Sequence, residues 1–113
     1  MSAITTHVLD TARGMPAAAV AVTLEARNPA GAFLVIARGE TDSDGRIKDL
    51  GPGEADIAAG VYRITFATGA YFARRSERAF YPEVAVIFEI EAGQHYHVPL
   101  LLSPYSYSTY RGS

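Results

Sequence analysis

A chain of 113 residues holds one compact domain, 1–113, and is too short for two cores of ordinary size. With 49% hydrophobic and 19% charged residues, seven tyrosines and five phenylalanines, the composition excludes disorder. The formal net charge is −2 and the basic residues are scattered apart from Arg74-Arg75, so no footprint for nucleic acid or an anionic membrane is present, and the lack of cysteine excludes disulfides and thiolate chemistry.

The first ten residues, "MSAITTHVLD", carry no basic region followed by an apolar one, and no apolar run reaches spanning length, so a cytoplasmic protein is expected. The same stretch predicts a first strand over 4–10, with Thr5, His7 and Leu9 on one face. Gly14 and Pro16 mark a turn. A second strand is expected over 18–27, where Val20, Val22, Leu24 and Ala26 alternate with Ala21, Thr23, Glu25 and Arg27. "NPAG" at Asn28 to Gly31 leads to a strand over 32–41, and "DSDG" at Asp42 to Gly45 reads as a hairpin turn into a strand over 45–49. After "GPG" at Gly51 to Gly53, Tyr62, Ile64 and Phe66 define a strand over 60–67.

"TGAYFARRSERAF" then breaks the alternation and reads as a short helix with Thr68 as its N-cap. Strands over 83–91, 95–102 and 105–111 complete the chain, the first marked by Val84, Val86, Phe88 and Ile90. Eight short strands predict an all-β sandwich of two four-stranded sheets with one short helix.

Three histidines fall on strands: His7 in the first, and His95 and His97 on one face of a late one. A histidine on a strand is more often a hydrogen-bonded structural residue than a catalyst, so position alone assigns no role. His-X-His could give two zinc ligands, but a site needs three or four and no further ligand set is identifiable by spacing. "DSDG" begins like a calcium loop yet lacks the later acidic positions and closing glutamate, which leaves the tight turn. Arg46, directly after it, reads either as a solvated strand-end charge or as a cation projecting from the end of a sheet. Without a Gly-X-Ser-X-Gly elbow or a phosphate-binding glycine loop, hydrolysis would have to use water directly. That chemistry needs a base of near-neutral pKa and cationic donors for the developing oxyanion, roles that histidine and arginine fill.

Four blocks in order, "THVLD" (Thr6 to Asp10), "TDSDGR" (Thr41 to Arg46), "FYPEV" (Phe80 to Val84) and "HYHVPLLLSPYSYSTYRGS" (His95 to Ser113), resemble the 5-hydroxyisourate hydrolases, the transthyretin-related enzymes of urate breakdown. The closing Tyr-Arg-Gly-Ser is the feature that separates these hydrolases from transthyretin, the hormone carrier of the same fold. The resemblance implies a transthyretin-like sandwich and a catalytic set of His7, Arg46, His97 and Ser113. It also implies substrate contacts from Arg46, Tyr110, Arg111 and Ser113, with His95 as the weaker member and no metal or cofactor.

The resemblance further implies a homotetramer, a dimer of edge-paired dimers around a channel holding two active sites, in which any tail beyond Ser113 would occupy substrate space. The reaction so implied is cleavage of the N1–C6 amide of 5-hydroxyisourate to 2-oxo-4-hydroxy-4-carboxy-5-ureidoimidazoline. His7 and His97 would share the tasks of base and orienter. The rival readings are a transthyretin-like carrier that binds a small apolar ligand without turning it over, and a sandwich serving as an interaction module.

Overall fold

The computed structural model describes residues 2–112. In β1 (Ser2–Asp10) Ile4, Thr6, Val8 and Asp10 are buried, while Thr5, His7 and Leu9 lie half-buried on the opposite face. This is the two-residue period expected of a strand with one face on a core. The same alternation buries Val22 and Leu24 in β3 (Ala21–Arg27), Tyr62, Ile64 and Phe66 in β6 (Gly60–Phe66), and Tyr96, Val98, Leu100 and Leu102 in β8 (Tyr96–Leu102). The remaining strands are β2 (Met15–Pro16), β4 (Phe33–Glu40), β5 (Arg46–Gly53), β7 (Val84–Ile90) and β9 (Tyr107–Thr109).

One sheet is wholly antiparallel, in the order β4-β3-β6-β7. In the other, β1 is central: β8 runs parallel to it on one side, while β2 and β5 pair with it antiparallel, and β9 closes the far edge against β8. The two sheets enclose a core that includes Ile4, Leu24, Leu50, Ile64, Phe66, Leu100 and Leu102, all fully buried.

The described strands therefore divide five and four rather than four and four. The additional one is β2, a two-residue bridge to Leu9 and Asp10 at the place where Gly14 and Pro16 had signalled only a turn. The strand expected from residue 18 begins at Ala21, because Ala19 takes a left-handed backbone conformation (φ 60°). The last strand, expected over 105–111, keeps ladder pairing only at Tyr107–Thr109; Tyr110 and Arg111 leave the ladder, and Gly112 rejoins it by donating its N–H to the His97 carbonyl at 2.8 Å.

Asp42 to Gly45 is a tight turn, but it does not close a hairpin. It joins β4 in one sheet to β5 in the other, and so forms a corner of the sandwich. The Asp42 carboxylate caps it by accepting the backbone N–H groups of Asp44 and Arg46, each at 2.9 Å. Gly45 sits at φ 75°, donates its N–H to the Asp42 carbonyl, and accepts the Val8 N–H at 2.7 Å. A Cβ there would collide with the Val8 carbonyl oxygen, so glycine is needed both for the conformation and for clamping the corner to β1.

The helix is α1 (Thr68–Arg74), shorter than the segment that predicted it. Thr68 is its first helical residue, not its cap: Ala67 holds the cap position without a side-chain hydrogen bond, and the Thr68 hydroxyl instead donates to the Tyr81 carbonyl at 3.3 Å. Tyr71 and Phe72 are buried, and the Tyr71 hydroxyl donates to the carboxylate of Asp10, itself 1% exposed, at 2.8 Å. That bond docks the helix on the end of β1. No helix among the described residues is long and apolar enough to cross a membrane.

Candidate functional site

The outer face of the β1 sheet collects the polar side chains that the sequence singled out. On β1 this face carries Thr5 and His7. The register sets Thr5 opposite His97 on β8, and His7 opposite Pro99 on β8 and Arg46 on β5. Because paired residues point to the same side of a sheet, an imidazole and a guanidinium from strands distant in sequence flank the β1 residues from either side.

Arg46 and His97 line one cleft of about 590 Å³, together with Thr5, Thr6, Ile47, Lys48, Asp49 and His95. Thr5 stands between the two β8-side histidines, its Oγ1 lying 2.8 Å from Nδ1 of His97 and 3.1 Å from Nε2 of His95. The His97 pKa is lowered from its ordinary 6.5, first by burial and then by the positive charges of Arg46, His7 and His95. Its imidazole is held as the neutral form, which a general base requires.

His7 lies beside this cleft rather than in its lining. Its Nε2 is 2.9 Å from the Asp44 carbonyl, and since a carbonyl can only accept, Nε2 carries the proton and donates. In the neutral ring the lone pair is therefore on Nδ1. His7 braces the Asp42 to Gly45 corner that presents Arg46.

Tyr110 and Arg111 reach His97 from the other side. They line a second hollow of about 300 Å³ with Glu89, Tyr96 and Thr109, and His97 is common to both hollows. The Arg111 guanidinium stacks 4.7 Å from the centroid of the Tyr96 ring. Gly112 lies so close to the imidazole that a Cβ would come 2.6 Å from Cδ2 of His97. Ser113, the remaining member of the expected set, lies outside the described residues.

The structure thus brings Arg46 and His97 into one cleft, sets His7 next to it, and places Tyr110 and Arg111 across the His97 ring. His95, rated the weaker member, shares the Arg46–His97 cleft, and Thr5 was missed as a site residue. The sequence did hold a signal for Thr5, its shared face with His7, but not the pairing that carries it to β8. Among the described residues no group of three or more histidines, aspartates or glutamates is placed to hold a metal ion.

The family described as HIUase/Transthyretin matches residues 4–112. The chain is 49% identical over 111 residues to the 5-hydroxyisourate hydrolase of Salmonella typhimurium (strain LT2), covering 97% of this chain and 80% of that one. Among solved structures it is similar to Klebsiella pneumoniae 5-hydroxyisourate hydrolase, with a TM-score of 0.83 and 38% identity over 97% of this chain and 98% of that one. Sea bream transthyretin in complex with thyroxine matches with a TM-score of 0.90 and 36% identity over 96% and 93% of the two chains. Fold similarity therefore does not separate hydrolase from carrier; only the site can. By fold, motif and sequence alike, this chain belongs to the HIUase/Transthyretin family.

Proposed function

We propose that the protein hydrolyses 5-hydroxyisourate in urate degradation, opening the ring at the N1–C6 amide to give 2-oxo-4-hydroxy-4-carboxy-5-ureidoimidazoline. The observation that carries this reading is the placement of a neutral-biased imidazole, His97, in one cleft with the Arg46 guanidinium. Such a pair can take a proton from water and stabilise the charge that forms as hydroxide adds to a carbonyl. An apolar ligand would gain little from a lining that also includes Lys48, Asp49 and His95, which disfavours a carrier.

In this mechanism His97 accepts the water proton and later returns it to the departing nitrogen. Arg46 holds the polar, readily ionised ring and its oxyanion through the planar donor fork that lysine lacks. Tyr110 and Arg111 close the His97 side, Ser113 is assigned to the same wall, and His7 orients the Arg46 corner. No cofactor or metal takes part. The working unit is a homotetramer, supported by the exposed apolar residues of the β7 edge and terminal segment, Ile87 and Tyr107 among them, which a subunit contact would cover.

The test follows the absorbance of freshly made 5-hydroxyisourate with the native chain, with His97→Ala and with no protein. Native protein should accelerate its loss, and His97→Ala should be slower by about 100-fold to 10,000-fold. Equal decay in all three would leave the carrier reading in possession. Light scattering on the same sample should give the mass of four chains.

A further inference from the structure

The Thr5 hydroxyl lies within hydrogen-bonding distance of two imidazole nitrogens at once, Nδ1 of His97 at 2.8 Å and Nε2 of His95 at 3.1 Å. It has one proton to give and two lone pairs, while each neutral imidazole has one N–H and one lone pair. If the hydroxyl donates to Nδ1 of His97, the proton of that ring must sit on Nε2, and the ring has no lone pair left to act as a base. If the hydroxyl accepts from Nδ1–H, Nε2 is the basic nitrogen and the hydroxyl proton is free for His95.

We propose that Thr5 and His95 are positioning residues that fix the basic tautomer of His97. Nε2 of His95 accepts the Thr5 hydroxyl proton, Thr5 Oγ1 accepts from Nδ1–H of His97, and Nε2 of His97 is left with the lone pair that takes a proton from water. This rests on the hydrolytic reading of the site and adds to it the direction of a three-membered chain. When His97 takes the water proton, it becomes imidazolium with Nδ1–H still on Thr5, so no proton leaves the chain.

The reverse arrangement has a defined trigger. A protonated His95 donates from Nε2 to Thr5 and no longer accepts the hydroxyl proton, which is then free to turn to Nδ1 of His97, the arrangement in which the base is lost. The charged and titratable groups around this chain are Arg46, Lys48 and Asp49 on β5, His7 on β1, and Glu89, Tyr110 and Arg111 across the His97 ring.

The experiment is nitrogen-15 NMR of the intact protein with labelled histidine, paired with kcat and KM on 5-hydroxyisourate, for the native chain, Thr5→Val, Thr5→Ser and His95→Ala. His97 should carry its proton on Nδ1 in the native chain and in Thr5→Ser, and lose that preference in Thr5→Val. The kcat of Thr5→Val should fall by about 10-fold to 100-fold with KM little changed, as for other residues that orient a functional histidine, and Thr5→Ser should recover most of it. His95→Ala should weaken the same preference and lower kcat in the same direction.

A native His97 protonated on Nε2 at neutral pH overturns the proposal whether or not the variants fold. So does a folded Thr5→Val with unchanged tautomer and kcat. The spectrum needs no substrate: an Nδ1–H ring in a protein that does not accelerate 5-hydroxyisourate decay would refute the hydrolytic reading and leave the tautomer assignment standing.

Discussion

Replacing Gly112 by alanine sets a methyl group against the His97 ring, 2.6 Å from Cδ2 and 3.2 Å from both Cβ and Cγ. Carbon atoms rest about 3.5–4.0 Å apart, so about 1 Å must be recovered by moving either the imidazole or the Gly112 backbone. The ring is held at Nδ1 by the 2.8 Å contact with Thr5, and Gly112 by its 2.8 Å N–H bond to the His97 carbonyl. A displacement of about 1 Å stretches either bond past useful length.

If the ring yields, the base loses its orienting hydroxyl. If the backbone yields, Tyr110 and Arg111 withdraw with it from the far side of His97. The local clash costs about 1–3 kcal/mol, and a misplacement of about 1 Å at a reacting group costs about 100-fold in rate. None of the fully buried side chains is touched, so kcat/KM measured from 5-hydroxyisourate absorbance, with spontaneous decay subtracted, should fall about 100-fold while far-ultraviolet circular dichroism is unchanged. A Gly112→Ala protein within about twofold of the parent would refute the view that the terminal segment backs the imidazole.

Other outcomes follow from the same geometry. Since burial, then Arg46, His7 and His95, lower the His97 pKa, the acid limb of kcat/KM should lie below 6.5, and a limb at or above that value would remove His97 as the base. A depressed histidine pKa means that the unfolded chain binds more protons, so this contribution to stability is complete above 6.5 and is lost as the pH falls below it, which urea midpoints across that range would register. Arg46→Gln removes the second-largest of these causes: the limb should move up yet stay under 6.5, with kcat lower by about 100-fold to 1,000-fold as for other oxyanion donors. Tyr71→Phe takes the hydroxyl from the buried Asp10 carboxylate and should cost about 1–3 kcal/mol, a loss of about 4–8 °C in melting temperature per kcal/mol, with kcat/KM intact because the pair lies on the core side of β1.

Alternation in the sequence determined which side of each strand is dry. Val22 and Leu24, Tyr62, Ile64 and Phe66, and Val84 and Ile90 all turn inward as their period requires, and Thr5, His7 and His97 turn outward. The motif blocks also carried the family and named most of the candidate residues gathered around His97. A period of two fixes a face, however, and says nothing about which strand lies alongside.

That choice depends on packing between segments far apart in the chain, and it produced what the sequence did not reveal. Parallel pairing of β1 with β8 carries Thr5 to a histidine 92 residues away. The Asp42 to Gly45 turn becomes a corner between sheets because Val8 clamps Gly45 to β1, which swings Arg46 onto the outer face. Arg111 settles on the Tyr96 ring and Gly112 against His97, where folded β8 offers an aromatic surface and the His97 carbonyl that accepts the Gly112 N–H.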